Sequence, residues 1–121
     1  MMRGAAVLTV ALFAASPALA AEPLDGRWTV DLTSKPTDKP YTKPMVLTLN
    51  RDGTVSGSFY DSVIEAGRWK MDRGRTCVSF RTSDGVGPYH SGACLIGSVV
   101  QGQTWAEQRK FLFNWDAVRA K

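Results

Sequence analysis

The chain has 121 residues, 44% of them apolar and 21% charged, with 15 Lys and Arg against 11 Asp and Glu. That length holds one ordinary domain and excludes a multi-domain enzyme, while the apolar and aromatic content excludes a disordered chain. Two cysteines and one histidine leave no inventory for a zinc finger or a histidine-rich metal site, so neither a metal nor a cofactor is expected.

In chain order, the first segment reads as an export leader. Arg3 is its one charge, Ala5 to Ala15 form an apolar run, and Ala18-Leu19-Ala20 is a small-residue cleavage signature. The run is too short to span a bilayer and no second hydrophobic stretch follows, so no membrane insertion is expected once the leader is removed. Residues 1–20 are therefore read as a signal peptide and residues 21–121 as a single domain, exported to the periplasm or the extracellular space. No cysteine lies near the cleavage site to take a lipid. Losing Arg3 leaves 14 basic and 11 acidic side chains, a net of +3, scattered without a basic stripe. Nucleic-acid binding has no support in that pattern.

The remaining residues alternate short apolar–polar runs with turn signals. Strands are expected at Gly26 to Leu32, Met45 to Asn50, and Thr54 to Tyr60, the last two joined through Asp52-Gly53. Ile64 to Met71 follows, then 76–83 and 89–96 around Asp84-Gly85-Val86-Gly87. Gly97-Ser98 turns the chain into Val99 to Glu107, and Phe111 to Val118 completes the series. No helical period of useful length appears outside the leader. Eight consecutive strands with short links predict an all-β fold, an eight-stranded antiparallel up-and-down barrel. The 101 residues left after the leader give such a barrel little spare room.

One connection is long. Thr33 to Pro44 carries Lys35-Pro36, Lys39-Pro40 and Lys43-Pro44, and its prolines predict a semi-rigid, solvated loop rather than a central strand. The same basic loop at a barrel mouth also suits contact with an anionic ligand or partner.

Register follows from the turn at 84–87. With Gly85 and Val86 at its centre, Cys77 falls directly opposite Cys94, and an exported chain favours a structural disulfide there. A redox-active pair would use closer C-x-x-C spacing. The same register sets Val78, Phe80 and Thr82 against Ala93, Ser91 and Tyr89 on one apolar face with a few hydroxyls, suited to a barrel interior. Ser79, Arg81, His90 and Gly92 share the other face with the cysteines. Carried through Gly97-Ser98, it sets Trp105 opposite His90 and outside, unless one bulged residue turns it inward.

Gly26-Arg27-Trp28-Thr29-Val30-Asp31-Leu32-Thr33-Ser34 resembles the opening strand of the avidins and streptavidins, with its G-x-W and a following serine. Asp52-Gly53-Thr54-Val55-Ser56-Gly57-Ser58-Phe59 is similar to another segment of that family, and Val78-Ser79-Phe80-Arg81 and Gln103-Thr104-Trp105 are weaker echoes. The G-x-W is shared across the calycin barrels, where such a tryptophan packs the barrel end, the role this implies for Trp28. The resemblance implies a calycin-like barrel, self-association, and a biotin-like ligand held by an Asn, a Ser and a Tyr. Ser34 retains the serine, whereas Val30 stands at the Asn position and Phe59 at the Tyr position. Phe80 and Trp105 stand at aromatic-wall positions, which turns Trp105 inward and conflicts with the register. Losing two polar donors weakens any site built around a buried carbonyl.

The candidate ligand-binding set is thus Ser34, Phe59, Phe80, Thr82, Tyr89, Ser91 and Trp105, with a small, largely apolar molecule as the partner. The same aromatics also suit plain packing of a small barrel, and the discriminating feature is whether the interior is closed by side chains. The alternative function is a protein-interaction or inhibitor module of the cell envelope, using the Lys-Pro loop and Tyr41, Tyr60 or Trp115 as exposed aromatics. An enzyme is not expected. No Ser/His/Asp spacing stands out, and Asp31, Asp61 and Glu65 are separated by loops.

Overall fold

Hairpin turns fold the chain back on itself at nearly every link, and the resulting sheet curls until its first strands meet its last. The computed structural model describes Gly4 and residues 22–121; the leader read over residues 1–20 otherwise lies outside the described residues. The strands are β1 (Gly26–Asp31), β2 (Thr42–Leu49), β3 (Thr54–Phe59), β4 (Ser62–Val63) and β5 (Glu65–Asp72). They continue as β6 (Arg75–Ser83), β7 (Pro88–Ile96), β8 (Val99–Ala106) and β9 (Phe111–Arg119). Apart from β4 and β5, which do not pair with each other, sequence neighbours pair antiparallel, and β1 also pairs with β9, which closes the barrel.

The expected eight-stranded barrel is borne out, with β4 and β5 as two halves of one stave. Both pair with β3. Between them Ile64 is buried and its N–H bonds the Gly57 carbonyl at 2.9 Å. The stave kinks at Ala66, where φ is +52° and the pairing with β6 shifts register. On its other side Gly57 lies close against β2, where a Cβ would overlap the Val46 carbonyl oxygen, and its φ of +136° also suits glycine.

The second departure is at β2, which begins at Thr42 rather than Met45 and takes Lys43-Pro44 into the sheet. Pro44 pairs with Thr29 of β1 but has no partner in β3, which ends opposite Met45. A proline tolerates a strand where its nitrogen needs no acceptor, and β2 here has run past its neighbour.

The barrel is filled at one end. Leu24 and Trp28 plug it, packed with Leu47, Leu49, Val100 and Ala117. The Trp28 indole N–H donates to the Leu24 carbonyl at 3.0 Å, and the Arg119 guanidinium lies 4.2 Å from the Trp28 ring. Arg119 also donates to the carbonyls of Pro23 and Asp25, tying the last strand to the segment before the first. Trp28 therefore packs the barrel end.

The register read from the 84–87 turn holds along the β6–β7 pairing from Cys77 to Ser83. Cys77 is opposite Cys94, bridged by a disulfide with the Cα atoms 4.0 Å apart, and Val78, Phe80 and Thr82 face Ala93, Ser91 and Tyr89. Halfway up the barrel Phe59, Phe80 and Trp115 form an aromatic layer, with Phe59 centred 5.4 Å from Phe80 and 5.2 Å from Trp115. Trp115, expected as an exposed aromatic, is buried inside the barrel. Gly102 lies opposite it, and a Cβ on Gly102 would sit 2.3 Å from Trp115 Cζ2. Gly102→Ala is accordingly expected to cost about 2 kcal/mol through overpacking, seen as a lower urea midpoint with unchanged slope. An unchanged midpoint would show that Trp115 has room to move.

Candidate functional site

Above the aromatic layer the side chains stop filling the barrel. A cavity of about 680 Å³ opens at the end where β1, β3, β6 and β8 finish and β2, β7 and β9 begin. Period-two alternation places its inner wall: Phe59, Thr82 and Thr104 point in from β3, β6 and β8, and Phe111 and Phe113 from β9. Leu32 closes the β1 side. Phe111 lies 5.5 Å from Phe113 and 5.7 Å from Tyr89, so three rings form one continuous wall.

The floor carries two buried hydroxyls, of Thr104 and Ser91. Thr104 Oγ1 accepts the Trp115 indole N–H at 2.9 Å and shares a 2.8 Å hydrogen bond with the Ser91 hydroxyl. Among the described residues no buried side-chain polar atom lacks a partner, so this cluster is satisfied without a ligand.

The rim has two polar arms. In the first, the chain leaves β1 and returns at Tyr41, where the Leu32 N–H bonds the Tyr41 carbonyl at 2.8 Å and the Tyr41 N–H bonds Thr33 Oγ1 at 3.0 Å. These bonds pinch the base of the Lys-Pro loop and aim Tyr41 at Tyr60, to which it hydrogen bonds through the two hydroxyls. Tyr60 and Asp61 are the two positive-φ residues of the turn from β3 to β4. Lys43 holds that turn, bonding Asp61 at 2.8 Å and lying 5.1 Å from the Tyr60 ring. Its hydrogen bond to Asp61 pushes the Lys43 pKa up, and the bond to Tyr41, together with burial, pushes Tyr60 up.

The second arm is built from turns. Asp84 Oδ1 accepts the Val86 N–H at 3.0 Å, while Oδ2 accepts from the Tyr89 hydroxyl at 2.8 Å and from Arg109 Nη2 at 3.2 Å. The Tyr89 bond, then the Val86 N–H and the Arg109 charge, hold the Asp84 carboxyl below its ordinary value; burial, then Asp84, raises the Tyr89 phenol. These ion pairs are solvent-exposed and contribute little to stability, so their effect is to set geometry.

Of the residues singled out in the sequence, Ser34, Phe59, Thr82 and Tyr89 line the cavity. Phe80 and Ser91 lie one layer below, Phe80 against Phe59 and Ser91 against Thr104. Trp105 is a correction: the β7–β8 pairing runs unbulged from Ile96 to His90, so Trp105 sits opposite His90 on the outer surface, 41% exposed and stacked on it at 5.6 Å. It borders a shallow outer groove of about 230 Å³ and does not wall the cavity. Arg109, Asp84, Phe111 and Phe113 escaped the sequence reading, and only Thr104 had a signal, through its register opposite Ser91.

Asp31, Asp61 and Glu65 bond Thr33, Lys43 and Arg81 respectively, and no group of His, Cys, Asp or Glu side chains suited to a metal is found among the described residues. No family model, curated protein or solved structure matches the chain. The closed antiparallel barrel is consistent with a calycin-like fold.

Asp84 supplies a titration test. Its folded-state pKa is depressed, so its contribution to order at the β6–β7 turn is present above the ordinary value of 3.8 and is lost as pH falls through the lower folded value. Carboxyl-detected NMR is expected to place its midpoint below 3.8, and Tyr89→Phe to move that midpoint upward. An unmoved midpoint would mean that Tyr89 does not hold Asp84.

Proposed function

We propose that the chain is an exported, non-catalytic barrel that binds a small, largely apolar molecule in its mouth. The cavity carries this reading. Its 680 Å³ falls in the range of small-molecule sites, with phenylalanine walls and a few fixed hydroxyls. An eight-stranded barrel packed to closure would leave no such space. Export is supported by the leader pattern in residues 1–20 and by the Cys77–Cys94 bridge, a bond that persists in oxidising compartments.

The avidin-like form of this reading makes biotin a weak ligand. Ser34 reaches the cavity, but Val30 is fully buried in the core and Phe59 brings a ring where a hydroxyl would be needed. The interaction-module alternative draws on the same rim, where the Lys-Pro loop exposes Lys35 and Lys39. The volume and apolar walls of the cavity favour the small molecule.

N-phenyl-1-naphthylamine, a neutral fluorophore that brightens in apolar surroundings, is expected to bind saturably. Thr82→Phe, which puts a ring into the cavity, should weaken it by at least about tenfold, the loss of roughly 1.4 kcal/mol of contact. Biotin should displace the dye only as it approaches millimolar concentration, and no displacement there removes the avidin-like form. Absence of saturable dye binding, or binding indifferent to Thr82→Phe, would refute the cavity reading. For export, the mass of the protein recovered outside the cytoplasm should correspond to a chain beginning at Ala21 and gain about 2 Da on reduction of one bridge. An intact leader on the recovered protein would remove that part.

A further inference from the structure

The cavity walls are apolar, but the rim is unequal in its hydrogen-bonding capacity. Among the described residues Asp84 is the one carboxylate lining the cavity, and its oxygens are engaged by Val86, Tyr89 and Arg109. A carboxylate offers about four acceptor sites, so little of Asp84 is left for a ligand. Arg109 is the reverse case. Its guanidinium has five N–H groups; Nη2 bonds Asp84 at 3.2 Å and the group also lies against the Tyr89 hydroxyl, which still leaves N–H groups without a partner among the described residues. Its side chain is 45% exposed and lines the mouth.

The other arm adds to the same side of the account. The Tyr41 and Tyr60 hydroxyls hold two hydrogens between them and use one on each other, which leaves one to donate. The Tyr89 hydroxyl gives its hydrogen to Asp84 at 2.8 Å. Among the described residues lining the cavity, the one carboxylate is therefore committed, while the one guanidinium keeps N–H groups to offer.

On the cavity reading above, we infer that the ligand carries an acidic oxygen head group, such as a carboxylate or a sulfonate, seated on Arg109 with its apolar body against Phe59, Phe111 and Phe113. Asp84 anchors the guanidinium at the mouth, so the head group meets a positioned fork of donors. The aromatic lining would by itself also suit an ammonium ligand. Two observations set that against the rim: Lys43 already lies over the Tyr60 ring, and Arg109 places a positive charge where the cation would enter.

Two dyes with the same skeleton separate head group from body. 1-Anilinonaphthalene-8-sulfonate is N-phenyl-1-naphthylamine with one added sulfonate. The wild-type protein is expected to bind the sulfonate about tenfold more tightly, the ratio for one charge-assisted contact at a partly exposed site, with the ratio shrinking in high salt. Arg109→Gln should bring the ratio towards one, and Arg109→Lys should restore part of it. Lys70→Gln, which removes one positive charge from an exposed position on β5, should leave the ratio as in wild type. Equal affinities in the wild type, or a ratio that survives Arg109→Gln, overturns the head-group assignment while the neutral dye still marks the cavity. Failure of both dyes to bind overturns the cavity reading and this inference together.

Discussion

A tryptophan inside a small barrel sets two demands, and most of this molecule follows from how they are met. The Trp115 indole needs an acceptor for its N–H and space for its bicyclic ring. Thr104 supplies the first at 2.9 Å and Gly102 supplies the second by having no side chain. Both come from β8, two residues apart and therefore on one face, beside the strand that carries Trp115. An unpartnered buried indole N–H would cost about 1–3 kcal/mol, and a side chain at position 102 would drive the ring out of its place.

That arrangement divides the interior. Below Trp115 the layers from Leu24 and Trp28 upward are continuous, locked by the Arg119 contacts that join the two ends of the chain. Above it the inward residues include threonine and serine where larger side chains would be needed to fill the space. Phe59 is the hinge of this division, touching Phe80 and Trp115 while presenting a surface to the cavity. A stable lower half leaves the upper half free to carry polar groups that a sealed core would exclude.

The strand interiors were legible in the sequence and the rim was not, and the reason is physical. Alternation fixes which residues face inward, and a single turn fixes register for two strands, so Cys77 against Cys94 and Phe80 against Ser91 followed from counting. The same count set Trp105 outside, correctly against the resemblance, because register is cumulative and no bulge interrupts β7 and β8. The β3–β5 region resisted such counting. There the kink at Ala66 and the close approach at Gly57 break the period, and no local pattern announces either.

The rim is assembled from loops, whose partners lie far apart in sequence. Arg109 reaches Asp84 across 25 positions and Tyr41 reaches Tyr60 across 19, and neither pair has a spacing that could be recognised beforehand. The antiparallel meander brings them together: Tyr41 and Tyr60 flank the paired strands β2 and β3, and Asp84 and Arg109 lie in the turns at the same end of β6–β7 and β8–β9. The two kinds of site chemistry therefore have separate origins. The apolar pocket comes from strand alternation and is bound to the stability of the fold. The polar fringe comes from turns and ion pairs that stability hardly uses, so its residues can change to suit a ligand while the barrel beneath them stays closed.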